Sequence, residues 1–430
     1  MTPSTGPTTS APPSRPPGSR PTLYRHFHRI AWFSVALTLI VVIFGAFVRL
    51  SDAGLSCPDW PTCYGRAAWP TAPEQVTGHA ATDIRPLETH KAWREQVHRH
   101  IAAILGVLTL SLALLAARKR RYGIAQILGA SILVAAAIPV YMSGHQLEAL
   151  AIAALGEAIL VFAALRWSNI DLARAAALTL AVIIFQALLG KWTVTMLLKP
   201  VIVMGHLLGG LLTFSLLTWM AWRATHLPIR LAGARALRML LWSALGVLVV
   251  QIALGGWVSA NYAALACGGG GWTTASHHYI DFPQCVGQWW PPSDFREGFV
   301  LWRGVGVDYE GGILDGQARI AIQMAHRLFA MVAFGVLMAL AVRLLRTPGL
   351  RGWGTALTVL TVGQVALGIL NVKLALPLSV AVMHNGGAAL LLFVIVSLLA
   401  RVQPADVGNG VRDPAVAVSP PPAPVMPSAH

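Results

Sequence analysis

Charge is scarce in this chain. Of its 430 residues only 11% are Asp, Glu, Lys or Arg, the acidic ones number 17, and cysteine occurs four times. With 56% hydrophobic residues and a mean hydropathy of +0.62, a soluble domain is excluded. No close Cys-x-x-Cys pair is present, which argues against a thiol–disulfide oxidoreductase. The tight Cys and His spacings of zinc motifs are missing as well. Lys and Arg bring the net charge to +15, but they are scattered over separate loops with no aromatic-interleaved patch, so nucleic acid is not the expected partner. Membrane lipid is. The first 22 residues carry no apolar signal core. Rich in Pro, Ser, Thr and Ala, residues 1–23 and 404–430 read as disordered tails.

Long apolar runs are what the sequence has. Stretches able to cross a bilayer fall at about 30–49, 96–117, 124–142, 147–166, 175–197, 200–222, 236–258, 318–342, 353–374 and 377–400, which predicts an all-α polytopic membrane protein of ten spans. Arg25 and Arg29 precede the first span, "RKRR" (118–121) follows the second, and Arg166 and Arg174 follow the fourth. The segments "RATHLPIRLAGARALR" and "RLLRTPGLR" follow the sixth and eighth. All lie on one side, so both termini are expected in the cytoplasm, with a bacterial inner membrane favoured and an organelle still open. Cys57, Cys63, Cys267 and Cys285 then fall in two large outer loops, where disulfides persist.

The chain also repeats itself. "GAFVRLSDAGLSC" (45–57) parallels "GGWVSANYAALAC" (255–267), "HRHIAAILGVL" at His98 parallels "HRLFAMVAFGVL" at His326, and Gly190 and Gly368 precede His206 and His384 by the same 16 residues. From His98 to His206 is 108 residues, whereas from His326 to His384 is 58. The difference of 50 fits an inserted two-span hairpin at 120–170. The expected architecture is thus two pseudo-symmetric four-helix bundles, 24–229 with the hairpin and 230–403. Glu157 in the hairpin is costly unless protonated or paired; a packing role for the hairpin is the plain reading.

Most of the 14 histidines sit in loops or tails, including the pair at 277–278. His98, His206, His326 and His384 instead lie at one shallow depth near the outer ends of their spans. Two imidazoles on facing helices at equal depth are what axial ligation of a heme iron requires. A single membrane histidine is as readily an interhelical hydrogen-bond partner, but four paired by a repeat favour ligation. Arg99 and Arg327 follow the first histidine of each pair and are placed to reach heme propionates or to snorkel to headgroups. Glu95 lies one turn outward of His98 on the same face, while its repeat mate is Gln323. A carboxylate there suits proton exchange beside a reacting macrocycle, and equally a helix N-terminus that favours negative charge.

Taken together, "GAFVRLSDAGLSCPDWPTCYG", "EQVHRH", "FQALLGKWTVT", "GHLLGG", "FPQCVGQWWPP", "MAHR" and "MHNGGA" resemble the heme A synthase family, whose members oxidise the C8 methyl of heme O to a formyl group for terminal oxidases. The resemblance implies heme b held by His326 and His384 with Arg327, and heme O received by His98 and His206 with Arg99. It also implies a turnover role for Glu95 and disulfides Cys57–Cys63 and Cys267–Cys285, the second more widely spaced. The first ring, stiffened by Pro58 and Pro61, is expected to act as a lid, as a plain staple or as a redox relay that passes electrons by thiol exchange. Successive hydroxylation at the outer face would make the chain an oxidoreductase acting with a heme O synthase and an electron donor, in an oligomeric state left open. Family members usually have eight spans. A non-catalytic diheme electron carrier is the alternative.

Overall fold

Apolar length determines the elements. The computed structural model describes residues 26–169, 172–225, 227–268 and 282–405. Within them ten helices are long and apolar enough to cross a membrane, so the chain is a multi-pass membrane protein. In chain order the helices are α1 (Phe27–Leu50), the short α2 (Ala81–Ile84), α3 (Thr89–Ala117), α4 (Gly123–Met142), α5 (Gln146–Arg166), α6 (Ala173–Thr195), α7 (Pro200–Thr225), α8 (Ala234–Ala260), the short α9 (Phe295–Gly298), α10 (Gly316–Leu345), α11 (Arg351–Lys373) and α12 (Leu378–Arg401). Both expected tails lie largely, and the His277–His278 pair wholly, outside the described residues.

The long helices pack as two rings of four. In one, α1 touches α3, α3 touches α6, α6 touches α7 and α7 closes on α1; in the other, α8, α10, α11 and α12 follow the same cycle. The rings meet where α12 packs on α1 and α7, and α7 on α8. Helices α4 and α5 lie chiefly against each other and, beyond that, against α3 and α6, outside the rings.

Both rings share local chain geometry at one end. Two successive residues with left-handed backbone follow α6 (Leu197 and Leu198, φ 50° and 59°) and α11 (Ala375 and Leu376, φ 56° and 62°). Non-glycine residues adopt that conformation only where the surroundings enforce it, and each pair makes a hard reversal into the next helix. At the opposite end Ile229–Leu231 (β1) pairs in parallel with Val402–Pro404 (β2), so residue 404, expected to open a tail, closes a strand. Arg238 donates to the carbonyls of Leu399 and Val402 (3.1 and 2.9 Å), fastening the start of α8 to the end of α12 and the start of β2.

Candidate functional site

Because successive spans alternate in direction, α3, α7, α10 and α12 all begin at the end of the bundle that carries the cysteine loops. His98, His206, His326 and His384 lie within their first three turns, hence toward that end. In each ring the two histidine-bearing helices occupy opposite corners, so the imidazoles point across the same interior. His98 and His206 are close enough to act on each other electrostatically, as are His326 and His384.

A glycine on the adjoining helix backs every one of these rings. A Cβ added at Gly45 would lie 2.9 Å from Cε1 of His98, at Gly190 3.3 Å from Cε1 of His206, at Gly255 3.0 Å from Cε1 of His326, and at Gly368 3.1 Å from Cε1 of His384. Only a residue without a side chain lets the imidazole lie flat on the neighbouring backbone. In His98, His206 and His384 the Nδ1 atom is sealed from solvent without a hydrogen-bond partner. All four histidines are nonetheless half-buried. A donor set of two imidazoles from opposite helices of a ring, each seated on glycine, fits bis-histidine ligation of a flat macrocycle. Among the described residues no three His, Cys, Asp or Glu side chains come together to hold a bare metal ion.

Three glutamines surround these rings, and the sequence reading passed over them. Gln251 Nε2 lies 3.2 Å from His326 Nδ1 and donates to the His326 carbonyl at 3.3 Å, and Gln364 Nε2 donates to the His384 carbonyl at 2.9 Å. Gln186 packs against Gly209, three residues beyond His206, as Gln364 packs against Gly387, three beyond His384; a Cβ at either glycine would collide with the amide. Each glutamine precedes a backing glycine by four residues ("QALLG", "QIALG", "QVALG"), a signal that was legible. The fourth position, in "VVIFG", is Val41. His98 therefore has no amide neighbour, and its ring instead stacks on Phe44 (centroids 6.4 Å apart, planes at 21°).

Glu95 and Arg99 tie the first cysteine loop to α3. Glu95 is 5% exposed. Its Oε2 accepts from the Cys57 N–H (2.8 Å) and the Ser56 hydroxyl (3.3 Å), and its Oε1 from Arg99 (2.6 Å). Arg99 also donates to the carbonyls of Asp59, Thr62 and Cys57 at 2.8, 2.6 and 3.0 Å, so its terminal nitrogens are committed to the loop. In the second ring Gln323 is 4% exposed, and its Oε1 has no hydrogen-bond partner among the described residues. Arg327 donates to the Gln284 carbonyl at 3.1 Å and lies over Phe282.

Cys57–Cys63 and Cys267–Cys285 are both disulfide-bonded. The two loops are built alike: Cys63 bridges to Arg66 and Cys285 to Gln288 around a turn whose central residues, Tyr64–Gly65 and Val286–Gly287, all have positive φ. In the first loop Asp59 holds that turn, accepting from the Thr62 hydroxyl and from the Tyr64 and Gly65 N–H groups at 2.6 and 2.8 Å. Burial pushes the Asp59 carboxyl up, but these bonds together outweigh it and hold the group below its usual value. A depressed folded pKa contributes stability above the unfolded value of about 3.9, and that stability is lost as pH falls through the folded one. Protection from hydrogen exchange across residues 57–66, taken relative to the intrinsic rate at each pH, should accordingly fall as the pH drops below about 4. Asp59→Asn should remove that dependence, and a pH response unchanged in the variant would contradict the assignment.

The sequence matches the family described as cytochrome oxidase assembly protein (COX15-CtaA) over residues 28–396. A heme A synthase of Shewanella oneidensis is 35% identical over 369 residues, covering 85% of this chain and 93% of its own length. One from Rhizorhabdus wittichii is 26% identical over 84% of this chain and 90% of its own. One from Caulobacter vibrioides is 31% identical over 51% of this chain and 60% of its own. With the match spanning both rings and all four histidines, the chain belongs to the heme A synthase family of cytochrome oxidase assembly proteins.

Proposed function

We propose that this chain oxidises the C8 methyl of heme O to a formyl group, with heme O as substrate between His98 and His206 and heme b as resident cofactor between His326 and His384. The observation that carries this reading is an asymmetry between two sites otherwise built alike. The second site has an amide beside each of its histidines, from Gln251 and Gln364. Gln251 touches the His326 ring and Gln364 the His384 backbone; groups that hold a ligating histidine in place strengthen the ligand bond, which suits a permanently held cofactor. In the first site Val41 replaces one of these glutamines, leaving His98 the less constrained ligand, as a substrate that must enter and leave requires.

The residues then divide the work. His98 and His206 place the macrocycle, and the glycines behind them fix its depth. Glu95 and Arg99 act as positioning residues that fasten the Cys57–Cys63 loop above it, and the loop limits water at the reacting methyl. Heme b, when bound, supplies one-electron transfer. Each of two successive hydroxylations would consume one O2, two protons and two electrons from an external donor, place one oxygen atom in a C–H bond of the methyl and release the other as water; the alcohol becomes the geminal diol, which loses water to give the aldehyde. Arg327 is assigned to the propionates of heme b. We place the chain in a bacterial inner membrane with both termini cytoplasmic and the heme sites outward, because the basic residues gather at the end opposite the cysteine loops. A heme O-producing farnesyltransferase is its supplier.

The test is chemical. Purified protein, co-expressed with a heme O-producing enzyme, is extracted with acid-acetone and its hemes identified by chromatography and mass. Hydroxylated heme O or heme A beside heme b is expected. Heme b alone, with heme O present in the same membranes, would leave a diheme electron carrier as the better account.

A further inference from the structure

One turn outward of His98 on α3 stands an arginine that has no counter-charge among the described residues. At the cysteine-loop end of α1 and α3 the arginines are Arg49, Arg94 and Arg99. Arg49 is committed to Ser259 O (2.7 Å) and the Tyr262 hydroxyl (3.0 Å), and Arg99 to the loop and Glu95. Arg94 makes no hydrogen bond or ion pair among the described residues, and its Nε is sealed from solvent with no partner. Half-buried, it folds over two rings, Phe47 of α1 (5.1 Å to the centroid) and its neighbour Trp93 (5.8 Å). These rings belong to the aromatic cluster that reaches His98: Phe47 and Trp93 both pack on Phe44, which stacks on the imidazole. A snorkelling arginine has its head surrounded by water, whereas this one lays its guanidinium over a ring of α1 and a ring of α3 with its Nε sealed from solvent.

Position gives the cation its task. Arg94 precedes His98 by four residues, so its Cα lies roughly 6 Å outward along the same face, and its side chain leans further toward the helix start. The corresponding residue in the second ring is Ile322, fully buried under α9, where Gly298 accepts a hydrogen bond from the Trp257 indole (2.8 Å). There the protein itself fills the space. Arg99, which the sequence offered for propionates, has its terminal nitrogens engaged.

We propose that Arg94 is the carboxylate-binding residue of the first pocket: its guanidinium receives the propionate edge of the substrate macrocycle, which would set the in-plane rotation and hence which methyl faces the reacting position. A planar fork over an aromatic ring is pre-organised for a carboxylate, and a neutral edge would gain nothing from it. This rests on the reading of the first pocket as the heme O site.

Full-length protein purified with heme b in place is titrated optically with heme O and, separately, with its propionate dimethyl ester, the heme b spectrum reporting that each variant is folded. Wild type is expected to prefer the free acid by about tenfold or more. Arg94→Leu should lose that preference, with ester affinity within threefold of wild type, and Arg94→Lys should retain part of it. Undiminished acid preference in Arg94→Leu, or equal weakening of both forms, would overturn the assignment. Wild type binding both forms with one affinity would overturn it too, whereas wild type binding neither would remove the heme O reading beneath it.

Discussion

Glu95→Ala is expected to lower heme A formation about a hundredfold or more while heme O remains bound. The carboxylate is the junction between helix and loop. Removing it strips the acceptor from the Cys57 N–H and the Ser56 hydroxyl, and leaves Arg99, whose side chain is 13% exposed, without its counter-charge. Breaking an ion pair this enclosed costs on the order of 3 kcal/mol, enough to free the loop locally without unfolding ten spans. The histidines are seated on glycines of other helices and do not depend on the loop, so substrate ligation should persist. Glu95→Gln keeps an acceptor for Cys57 but loses the charge opposite Arg99, and should fall between wild type and Ala. Heme extraction reads the chemistry, and hydrogen exchange over residues 57–66 reads the loop. Undiminished heme A in Glu95→Ala would end the role of this residue. Lost product with an unaltered loop would favour direct proton transfer over positioning.

Gly255→Val is expected to empty the second site. A Cβ alone would stand 3.0 Å from Cε1 of His326, and the branched side chain adds two methyl groups in the same space. The imidazole cannot retreat, because Gln251 holds its Nδ1 side and the His326 carbonyl. Displacement of a ligating ring and its supporting amide should reduce heme b occupancy by tenfold to a hundredfold, in the range seen when groups that orient metal ligands are removed. Gly335→Val on the same bundle is the control, since nothing lies within 4 Å of a Cβ there. Heme b retained at wild-type level in Gly255→Val would contradict the seating of His326 on α8.

Each of the ten spans is an unbroken apolar run and is legible as such, and the spacing between repeated Gly, Cys and His residues singles out the four histidines. The gap between 108 and 58 residues placed the hairpin that α4 and α5 form outside the rings. What escaped were long-range side-chain bonds with no periodic trace. Glu95 looked like a proton carrier or a helix-end charge. That its oxygens accept from residues 38 and 39 positions earlier depends on how the loop folds back. The bonds of Arg99 to the loop carbonyls are invisible in the sequence for the same reason, and Arg94 carries no signal there because a lone arginine near a helix start is common. The glutamines of "QIALG" and "QVALG" repeat visibly, but an amide carries no charge and is no usual metal ligand, so the spacing alone does not mark a site.

The central claim is a division of labour between two bis-histidine sites, and the heme content of two variants tests it most directly. His98→Ala and His326→Ala are each purified from cells that make heme O, and their hemes are extracted and identified by mass. His326→Ala is predicted to lose heme b and carry heme O unconverted, whereas His98→Ala is predicted to keep heme b and yield no oxidised heme. Heme A formed at the wild-type level by His98→Ala, or heme b lost from His98→Ala and kept by His326→Ala, would contradict the account.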